Sequence, residues 1–282
     1  MNVADAMTAR EDLVTVSLPG TRDDVLEYLQ ERTFSSVPVV KERDGDEVYR
    51  GLVSREVLIE EPAEDQLVML MEDVPTTSSD TSISDVADLM VNRGARRIPV
   101  VDGDELVGIV TVTDVVRAIA DGNADGEVRV EEVAETAVNT SYENAPLPVV
   151  EREIAYAQDP YTVMLDDDAE MSGMLTEVDI IDVARVVEGE DDVGSSIADE
   201  DDEWMWEGIK AVGNRYFPTR DVEIPAGPAK EFMTADLVTT SGRKTSQEVA
   251  QLMLTHDVEQ IPLVSGDELV GIVRDMDLLE GV

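Results

Sequence analysis

The chain contains two long segments of nearly the same sequence. Residues 96–116 read RRIPVVDGDELVGIVTVTDVV and residues 259–279 read EQIPLVSGDELVGIVRDMDLL, and they match without a gap at an offset of 163 residues. The offset continues upstream, where equivalent residues are Val86 and Val249, Leu89 and Leu252, Met90 and Met253, and the pairs Thr76-Thr77 and Thr239-Thr240. A repeat of this size limits the fold to an assembly of similar units, each of which buries its apolar face against another.

Two further copies follow the same order of short motifs. The N-terminal copy contains LVTVS at 13–17, VLEYL at 25–29, SVPVV at 36–40 and GLVSREVL at 51–58. The most divergent copy covers 138–157 and 161–181 and lacks the proline of the other three. We predict repeat one at 1–60, repeat two at 65–124, repeat three at 125–187 and repeat four at 228–282, with an acidic linker and an aromatic, proline-rich insertion at 188–227.

Repeat two illustrates the elements of each unit. Ser82 followed by Asp85 predicts a helix start, and Gly94 predicts its end. Strands are predicted at 98–101 and 106–110, because the Asp102-Gly103 pair between these apolar runs is typical of a tight hairpin turn. A second helix is predicted from Thr113-Asp114 to about Ala120.

The repeated unit contains a strand with the motif h-P-[VL]-V and, before the last helix, the motif G-h-h-[ST]-x-x-[DN], where h is a hydrophobic residue and x is any residue. This order of elements resembles the CBS (cystathionine-β-synthase-like) domain. The resemblance implies an α+β fold of four CBS repeats in two tandem CBS-pair modules, at about residues 1–124 and 125–282. It implies a non-catalytic regulatory protein, not an enzyme, that senses an adenine nucleotide or other adenosyl ligand. AMP, ADP, ATP and S-adenosylmethionine are the expected ligands, no cofactor is required, and a homodimer that regulates an unidentified protein partner is expected.

The motif before the last helix places a hydroxyl and a carboxylate three residues apart. The carboxylate can accept hydrogen bonds from a ribose diol, the hydroxyl can donate to phosphate, and the N–H groups of a helix start favour an anion. The four copies of this pair are Ser54 and Val57, Thr111 and Asp114, Thr176 and Asp179, and Arg274 and Asp277. Repeats two and three therefore keep both groups. The same residues are also ordinary helix caps, and at the level of sequence both interpretations stay open.

The resemblance also implies positions for the base and the phosphate of the ligand. The base pocket is expected at Thr76, Thr77, Ile98 and Pro99 in repeat two and at Thr140, Ser141, Thr162 and Val163 in repeat three. Arg96 and Arg97 are expected to contact phosphate, and so is Arg274, across the module from Asp179. Asp277 of repeat four is expected to flank the ligand.

Composition narrows the remaining function classes. The chain has 64 acidic and 21 basic residues, a net charge of −43, and it is 43% hydrophobic, so it should fold. The bases are 17 Arg and four Lys, which resembles proteins of salt-accumulating, haloarchaeal cytoplasms. The absence of Cys and the single His exclude disulfides, thiolate sites and multi-histidine metal centres, so no metal site is expected. No basic cluster suits nucleic acid and no long apolar run suits a membrane, so we expect a cytoplasmic protein.

An alternative function is a structural or protein-interaction module with vestigial ligand sites. Its docking surface would be the insertion that carries Trp204, Trp206, Tyr216 and Phe217, although the same aromatics could instead cover apolar surface of the chain. His256 is expected on the surface. The methionines at 69, 71, 90 and 253 are expected to fill the core.

Overall fold

The computed structural model describes two compact units. It covers residues 1–31, 36–43, 46–54, 57–58, 64–183, 185–188, 209–212, 215–218, 220–266 and 268–282. Unit one comprises Met1–Glu135, Val238–Ser265 and Val270–Val282, and unit two comprises Thr136–Leu237 and Gly266–Leu269. Most of the predicted acidic linker, including Trp204 and Trp206, lies outside the described residues.

The elements follow the predicted order in each repeat. Repeat one contains β1 (Thr8–Ala9), β2 (Val16–Ser17), α1 (Arg22–Glu31), β3 (Ser36–Arg43) and β4 (Asp46–Ser54). Repeat two contains α2 (Leu67–Leu70), α3 (Ile83–Arg93), β5 (Arg97–Asp102), β6 (Glu105–Thr111) and α4 (Val112–Ala120). The segment of repeat three contains α5 (Val130–Val133), β7 (Thr140–Tyr142), α6 (Leu147–Ala157), β8 (Tyr161–Leu165), β9 (Met171–Thr176) and α7 (Glu177–Val183).

The insertion and repeat four complete the chain. The insertion forms short strands β10 (Arg185–Glu188), β11 (Ile209–Val212), β12 (Arg215–Pro218) and β13 (Arg220–Glu223), in which β10 pairs with β13 and β11 with β12. Repeat four contains α8 (Ser246–His256), β14 (Gln260–Ser265), β15 (Glu268–Arg274) and α9 (Asp275–Leu278).

The local signals in repeat two have the predicted outcomes. The Ser82 hydroxyl caps α3 by accepting a hydrogen bond from the Asp85 backbone N–H at 3.1 Å, and Gly94 ends the helix in the left-handed conformation at φ 62°. Gly103 takes φ 68° in the turn between β5 and β6, which pair antiparallel. Helix α4 begins at Val112, one residue earlier than expected, because the cap is Thr111.

One sheet joins repeats one and two in unit one. Its strand order is β1-β6-β4-β3-β2, with β5 paired to β6. Within repeat one, β2 runs parallel to β3, and β3 forms an antiparallel hairpin with β4. In unit two, β7, β8 and β9 repeat this arrangement, with β7 parallel and β9 antiparallel to β8.

The helices of repeats two and four share one hydrophobic core. Residues fully buried there include Met90 of α3, Val115 and Ile119 of α4, and Val249 of α8. The compact units therefore do not coincide with the two modules expected from the sequence, because this core places most of repeat four in unit one.

The methionines follow the core prediction only in part. Met90 and Met253 are buried, whereas Met69 is 65% exposed. Its prediction as a core residue was wrong, because the single turn of α2 buries Leu67 and Leu70 and turns the residues between them outward. His256 is exposed at the end of α8, as expected.

Each repeat is crossed by a short leading segment from elsewhere in the chain. The four leading segments are residues 1–9, 64–72, 128–135 and 226–234. Their backbone bridges are Asn2 to Ser82 and Thr8 to Ile109 on repeat two, Gln66 to Thr21 and Glu72 to Leu52 on repeat one, Arg129 to Thr245 and Glu135 to Ile272 on repeat four, and Pro228 to Pro146 and Thr234 to Met174 on repeat three. Repeats one and two therefore exchange leading segments, and so do repeats three and four.

This crossing explains the glycine of the repeated motif. A Cβ atom at Gly108 would lie 2.6 Å from the Thr8 carbonyl oxygen, and one at Gly173 would lie 2.8 Å from the Thr234 carbonyl oxygen. The corresponding distance at Gly271, to the Glu135 carbonyl oxygen, is 2.9 Å. These separations are too short for any side chain, so the close approach of the leading segment requires glycine.

Candidate functional site

The two intact hydroxyl–carboxylate pairs form reciprocal helix caps. The Thr111 backbone N–H and hydroxyl donate to Asp114 Oδ2 at 2.9 and 2.8 Å, and the Asp114 N–H points back at Thr111 Oγ1 at 3.4 Å. Thr176 and Asp179 repeat this geometry with distances of 2.8, 2.8 and 3.3 Å. The structure thus brings each predicted pair together, and one carboxylate oxygen of each pair holds the helix start.

The second oxygen of Asp114 is bonded by Arg117 and not by the helix start. Asp114 is only 8% exposed, and its Oδ1 accepts a hydrogen bond from Arg117 at 3.1 Å. The Arg117 side chain is 55% exposed. Asp114 Oδ1 is therefore the carboxylate oxygen that takes no part in the helix cap.

The pair in repeat four is closed by its own arginine. Arg274 Nη2 donates to Asp277 Oδ1 at 2.9 Å, and Arg274 Nε lies 3.2 Å from Oδ2. The Arg274 backbone N–H donates to Oδ2 at 2.8 Å, and Nη2 also lies 3.5 Å from a carboxylate oxygen of Glu135. Both oxygens of Asp277 therefore have donors within the protein. In repeat one, Ser54 Oγ accepts from the Val57 N–H at 3.2 Å, so the cap persists without an acid.

A cleft with a volume of about 230 Å³ lies between repeats one and two. Residues 12–14 and 36–38 of repeat one supply one wall. The other wall consists of β5 and β6 of repeat two and of Thr8, which pairs with β6. The residues that line the cleft are Thr8, Asp12, Leu13, Val14, Ser36, Val37, Pro38, Arg97, Ile109 and Thr111. Arg97 and Thr111, both predicted from the sequence, pair across the antiparallel β5–β6 hairpin and so reach this cleft together.

Arg10 supports the wall that repeat one contributes. Its guanidinium donates to Glu47 Oε2 at 2.7 Å, to the Leu13 carbonyl oxygen at 3.2 Å and to Thr15 Oγ1 at 2.9 Å. These bonds fix the segment 12–14 against β4. The wall is therefore preformed, with Leu13 and Val14 giving it an apolar surface.

The cleft also contains a buried polar group without a partner. Ser36 Oγ is buried and makes no hydrogen bond within the described part of the chain. Burial of an unpaired hydroxyl costs about 1–3 kcal/mol, and a ligand that supplies the missing partner recovers it. Ser36 is thus a residue of the cleft lining whose hydroxyl has no partner among the described residues.

All of the predicted base-pocket residues except Thr76 lie in strands or β-bridges. In repeat two, Thr77 bridges Val100 in parallel, and Ile98 and Pro99 are buried in β5. With Thr76, they are not among the residues that line the cleft. In unit two, Thr140 of β7 pairs with Val163 of β8, Ser141 donates to Glu153 at 2.7 Å, and Thr162 is fully buried.

Sequence reasoning missed most of the wall that repeat one contributes. Val37-Pro38 is the repeat-one copy of Ile98-Pro99, and this equivalence was a signal that could have located the wall. The prediction instead placed the base pocket within the repeat that carries the intact cap. Thr8, Asp12 and Ile109 carried no signal, because their place in the cleft depends on how the leading segment crosses repeat two.

Arg96 has a different partner from the phosphate that was predicted. Its side chain pairs with Asp275 and Glu259 of repeat four. Arg97, the next residue, is the one that lines the cleft.

The fold and the cleft define a mixed α/β protein built from paired repeats. The sequence model of the CBS domain matches residues 3–64, 67–121 and 229–282. The chain belongs to the CBS domain family. The match confirms the predicted family and finds three CBS domains in the chain. The division into four repeats with the predicted bounds stays a prediction.

Similar proteins support the fold. Protein MJ1404 of Methanocaldococcus jannaschii is 24% identical over 99% of this chain and 61% of its own length, and MJ1225 of the same organism is 26% identical over 61% of this chain and 66% of its own. The chain thus spans about three fifths to two thirds of these relatives. A crystal structure of a Pyrococcus horikoshii protein, 24% identical and covering 99% of both chains, superposes with a TM-score of 0.68, and that of MJ1225, 18% identical over 99% of both chains, with 0.66.

The described residues contain neither a membrane-spanning helix nor a metal-binding cluster. None of the helices in this part of the chain is long and apolar enough to cross a bilayer. Within the same residues, no three His, Cys, Asp or Glu side chains are grouped so that they can hold a metal ion.

Proposed function

We propose that this protein is a non-catalytic regulatory sensor that binds an adenine nucleotide or another adenosyl ligand in the cleft between repeats one and two. The observation that carries the proposal is the composition of this cleft. It places the Arg97 guanidinium and the Thr111 hydroxyl opposite the apolar surface of Leu13, Val37 and Pro38. A flat heteroaromatic base suits that surface, and a phosphate or carboxylate suits the guanidinium and the helix start behind Thr111.

Each polar group in and beside the cleft has a role in this proposal. Arg97 holds the anionic group of the ligand, and the Thr111 hydroxyl turns its proton from Asp114 Oδ2 to that group. Asp114 Oδ1 accepts a hydrogen bond from a ribose hydroxyl in place of Arg117. Ser36 supplies the buried hydroxyl that bonds a polar atom of the base or the ribose. The described structure gives Ser36 Oγ no other partner.

A ligand screen tests the proposal. Thermal unfolding is measured in molar KCl with AMP, ADP, ATP and S-adenosylmethionine at millimolar concentrations. A ligand that binds only the folded state raises the midpoint, by an amount that corresponds to about 2.7 kcal/mol at 100 times the dissociation constant. A midpoint that none of the four ligands moves contradicts the proposal.

Two substitutions separate ligand binding from helix capping. Thr111→Val and Asp114→Asn should each lower the affinity for the bound ligand. The matched control is Thr245→Val, which removes the same kind of cap from α8, where Thr245 and Glu248 bond reciprocally. If the control lowers ligand affinity as much as Thr111→Val does, the effect on affinity comes from capping and the site is misplaced.

The second candidate function is a structural or protein-interaction module. The observation that favours it is the closed pair in repeat four, where Arg274 occupies both oxygens of Asp277. Exposed apolar side chains in unit two also favour an interface, because Val149 and Tyr156 of α6 are 47% and 80% exposed and Val178 of α7 is 66% exposed. We propose that a homodimer forms through such helical faces. Light scattering of Tyr156→Lys beside the unchanged protein should then show a shift towards monomer.

We also propose that residues 125–187, repeat three, form a CBS repeat in addition to the three that the family model matches. The support is the crossing at Gly173, where a leading segment passes as it does at Gly108 and Gly271. The same strand, helix and hairpin order holds in β7, α6, β8 and β9.

A further inference from the structure

Asp12 places a negative charge in the proposed ligand cleft. It ends the short 3-10 turn of residues Arg10–Asp12, which follows β1. Of the described residues that line the cleft, Asp12 and Arg97 are the charged ones. Arg97 belongs to the wall of repeat two and Asp12 to the wall of repeat one, so the cleft presents opposite charges on its two sides.

The nearest cation in sequence is committed elsewhere. Arg10 lies two residues before Asp12, and its guanidinium is bound by the Glu47 carboxylate, the Leu13 carbonyl and the Thr15 hydroxyl. The carboxylate that neutralises Arg10 is therefore Glu47 of β4. The Asp12 carboxylate therefore acts on the cleft as a negative charge.

The size of the cleft limits how much of a ligand it holds. Pockets for drug-sized ligands enclose about 300–1,000 Å³, and this one encloses about 230 Å³. The cleft therefore encloses a ligand smaller than these, or only part of a larger one. Additional phosphates extend over a surface on which acids outnumber bases by 64 to 21 across the chain.

We infer that Asp12 makes the cleft selective for adenosyl ligands with a single anionic group, of the nucleoside monophosphate class, and against di- and triphosphates. This inference rests on the proposed function. Arg97 attracts the first phosphate, whereas each further phosphate adds repulsion from Asp12 and from the acidic surface. Two extra charges at about 8 Å in water cost about 1 kcal/mol, which is about a fivefold change in affinity.

Isothermal titration with AMP, ADP and ATP tests the inference, at the lowest KCl concentration that keeps the protein folded. The unchanged protein should bind AMP at least tenfold more tightly than ATP. Asp12→Asn should reduce this ratio by about fivefold, mainly by strengthening the binding of ATP. Raising KCl to about 3 M should also reduce the ratio, because the Debye length falls to about 3 Å near 1 M salt.

Glu11→Gln is the matched control. Glu11 lies next to Asp12 in the same turn and is exposed, and it does not line the cleft. Its neutralisation changes the net charge equally, so it should leave the ratio between AMP and ATP affinities unchanged.

The outcomes separate this inference from the proposed function. Equal or tighter binding of ATP by the unchanged protein overturns the inference while the proposed function stands. An equal effect of Glu11→Gln and Asp12→Asn also overturns it, because selection would then come from total charge. If no nucleotide binds to any variant, the proposed function fails and the inference fails with it.

Discussion

Arg96 of repeat two and Asp275 of repeat four form a bidentate ion pair. Arg96 Nη1 donates to Asp275 Oδ1 at 3.0 Å, and Nη2 donates to Oδ2 at 2.6 Å. Asp275 is 5% exposed at the start of α9. Burial lowers the pKa of Arg96, but the hydrogen bond and charge of Asp275, with the charge of Glu259, outweigh it, so the pKa is raised.

The pair breaks the symmetry between the two most similar repeats. At the offset of 163 residues, Arg96 corresponds to Glu259, and Asp275 corresponds to Val112. The backbone bonds are equivalent, since Val112 N–H donates to the Arg96 carbonyl at 3.0 Å and Asp275 N–H donates to the Glu259 carbonyl at 2.7 Å. Repeat two therefore supplies the cation and repeat four the anions, which favours pairing of unlike repeats.

Removal of Arg96 should destabilise unit one. Loss of one partner of a buried ion pair costs about 3–5 kcal/mol, but the Arg96 side chain is 41% exposed. We therefore expect Arg96→Met to lower the free energy of unfolding by about 1–2 kcal/mol. A double-mutant cycle with Asp275→Asn, measured by urea unfolding in molar KCl, should recover most of that as coupling energy.

Arg129→Met is the control for this cycle. Arg129 Nη1 lies 3.7 Å from Glu131 Oε1, and the side chains of Arg129 and Glu131 are 60% and 52% exposed. Such pairs contribute about 0–1 kcal/mol, so this substitution should change stability little. If both arginine variants lose the same stability, the Arg96–Asp275 pair has no special role.

Substitution of the motif glycines should destabilise in the order of the distances. A Cβ at Gly108 or Gly173 would meet a backbone oxygen at 2.6 or 2.8 Å, whereas one at Gly51 would meet the Glu72 carbonyl at 3.2 Å. Overpacking of this kind costs about 1–3 kcal/mol. Urea unfolding should therefore show a loss of unfolding free energy of about 3 kcal/mol for Gly108→Ala and Gly173→Ala. The loss for Gly51→Ala should be about 1 kcal/mol. A mild effect at Gly173 alone would mean that repeat three is crossed differently.

The sequence predicted the elements within each repeat well. The cap at Ser82, the end of the helix at Gly94 and the turn at Gly103 each depend on a few adjacent residues, and their chemistry is local. The family resemblance then supplied the arrangement of these elements. The cap formed by Thr111 and Asp114 was predictable for the same reason, because the two residues lie only three positions apart in the sequence.

The contacts between repeats were not predictable in this way. The exchange of leading segments brings Thr8 to Ile109 across about a hundred residues of chain, and nothing in either local sequence records the pairing. The wall that contains Ser36, and the ion pair that diverts Arg96, depend on the same long-range packing. Arg96 was predicted to contact phosphate, but in the folded chain its guanidinium binds Asp275. Asp275 is far from Arg96 in sequence, so this partner was not visible in the local sequence.

Thr162 of repeat three tests how much an unpaired buried hydroxyl lowers the free energy of unfolding. Thr162 is fully buried, and its Oγ1 makes no hydrogen bond in the described structure. Thr162→Val keeps the shape and removes the unpaired hydroxyl, so it should raise the free energy of unfolding by about 1 kcal/mol. Thr140→Val, at an exposed position of the neighbouring strand, is the control and should change little. A loss of stability in Thr162→Val would indicate that the hydroxyl has a bound partner, such as an internal water.

Tyr49 should make the protein sensitive to alkali. Burial, together with the charge of Asp73, raises the pKa of Tyr49, and its buried Oη makes no hydrogen bond among the described residues. The pKa of an unfolded tyrosine is about 10. Above that pH the unfolded chain loses this proton while the folded chain keeps it, so stability present below about pH 10 declines by about 1.4 kcal/mol per pH unit.

Tyr49→Phe should remove this dependence. At pH 7 the variant should be about as stable as the unchanged protein or up to about 1 kcal/mol more stable, because it loses an unpaired hydroxyl. At about pH 11, one unit above the pKa of an unfolded tyrosine, the stability advantage of the variant should be larger by about 1.4 kcal/mol. Urea unfolding at both pH values gives the difference, with Tyr156→Phe, whose residue is 80% exposed, as the control. An advantage of Tyr49→Phe that stays constant between the two pH values would show that Tyr49 ionises equally in both states and would contradict the prediction.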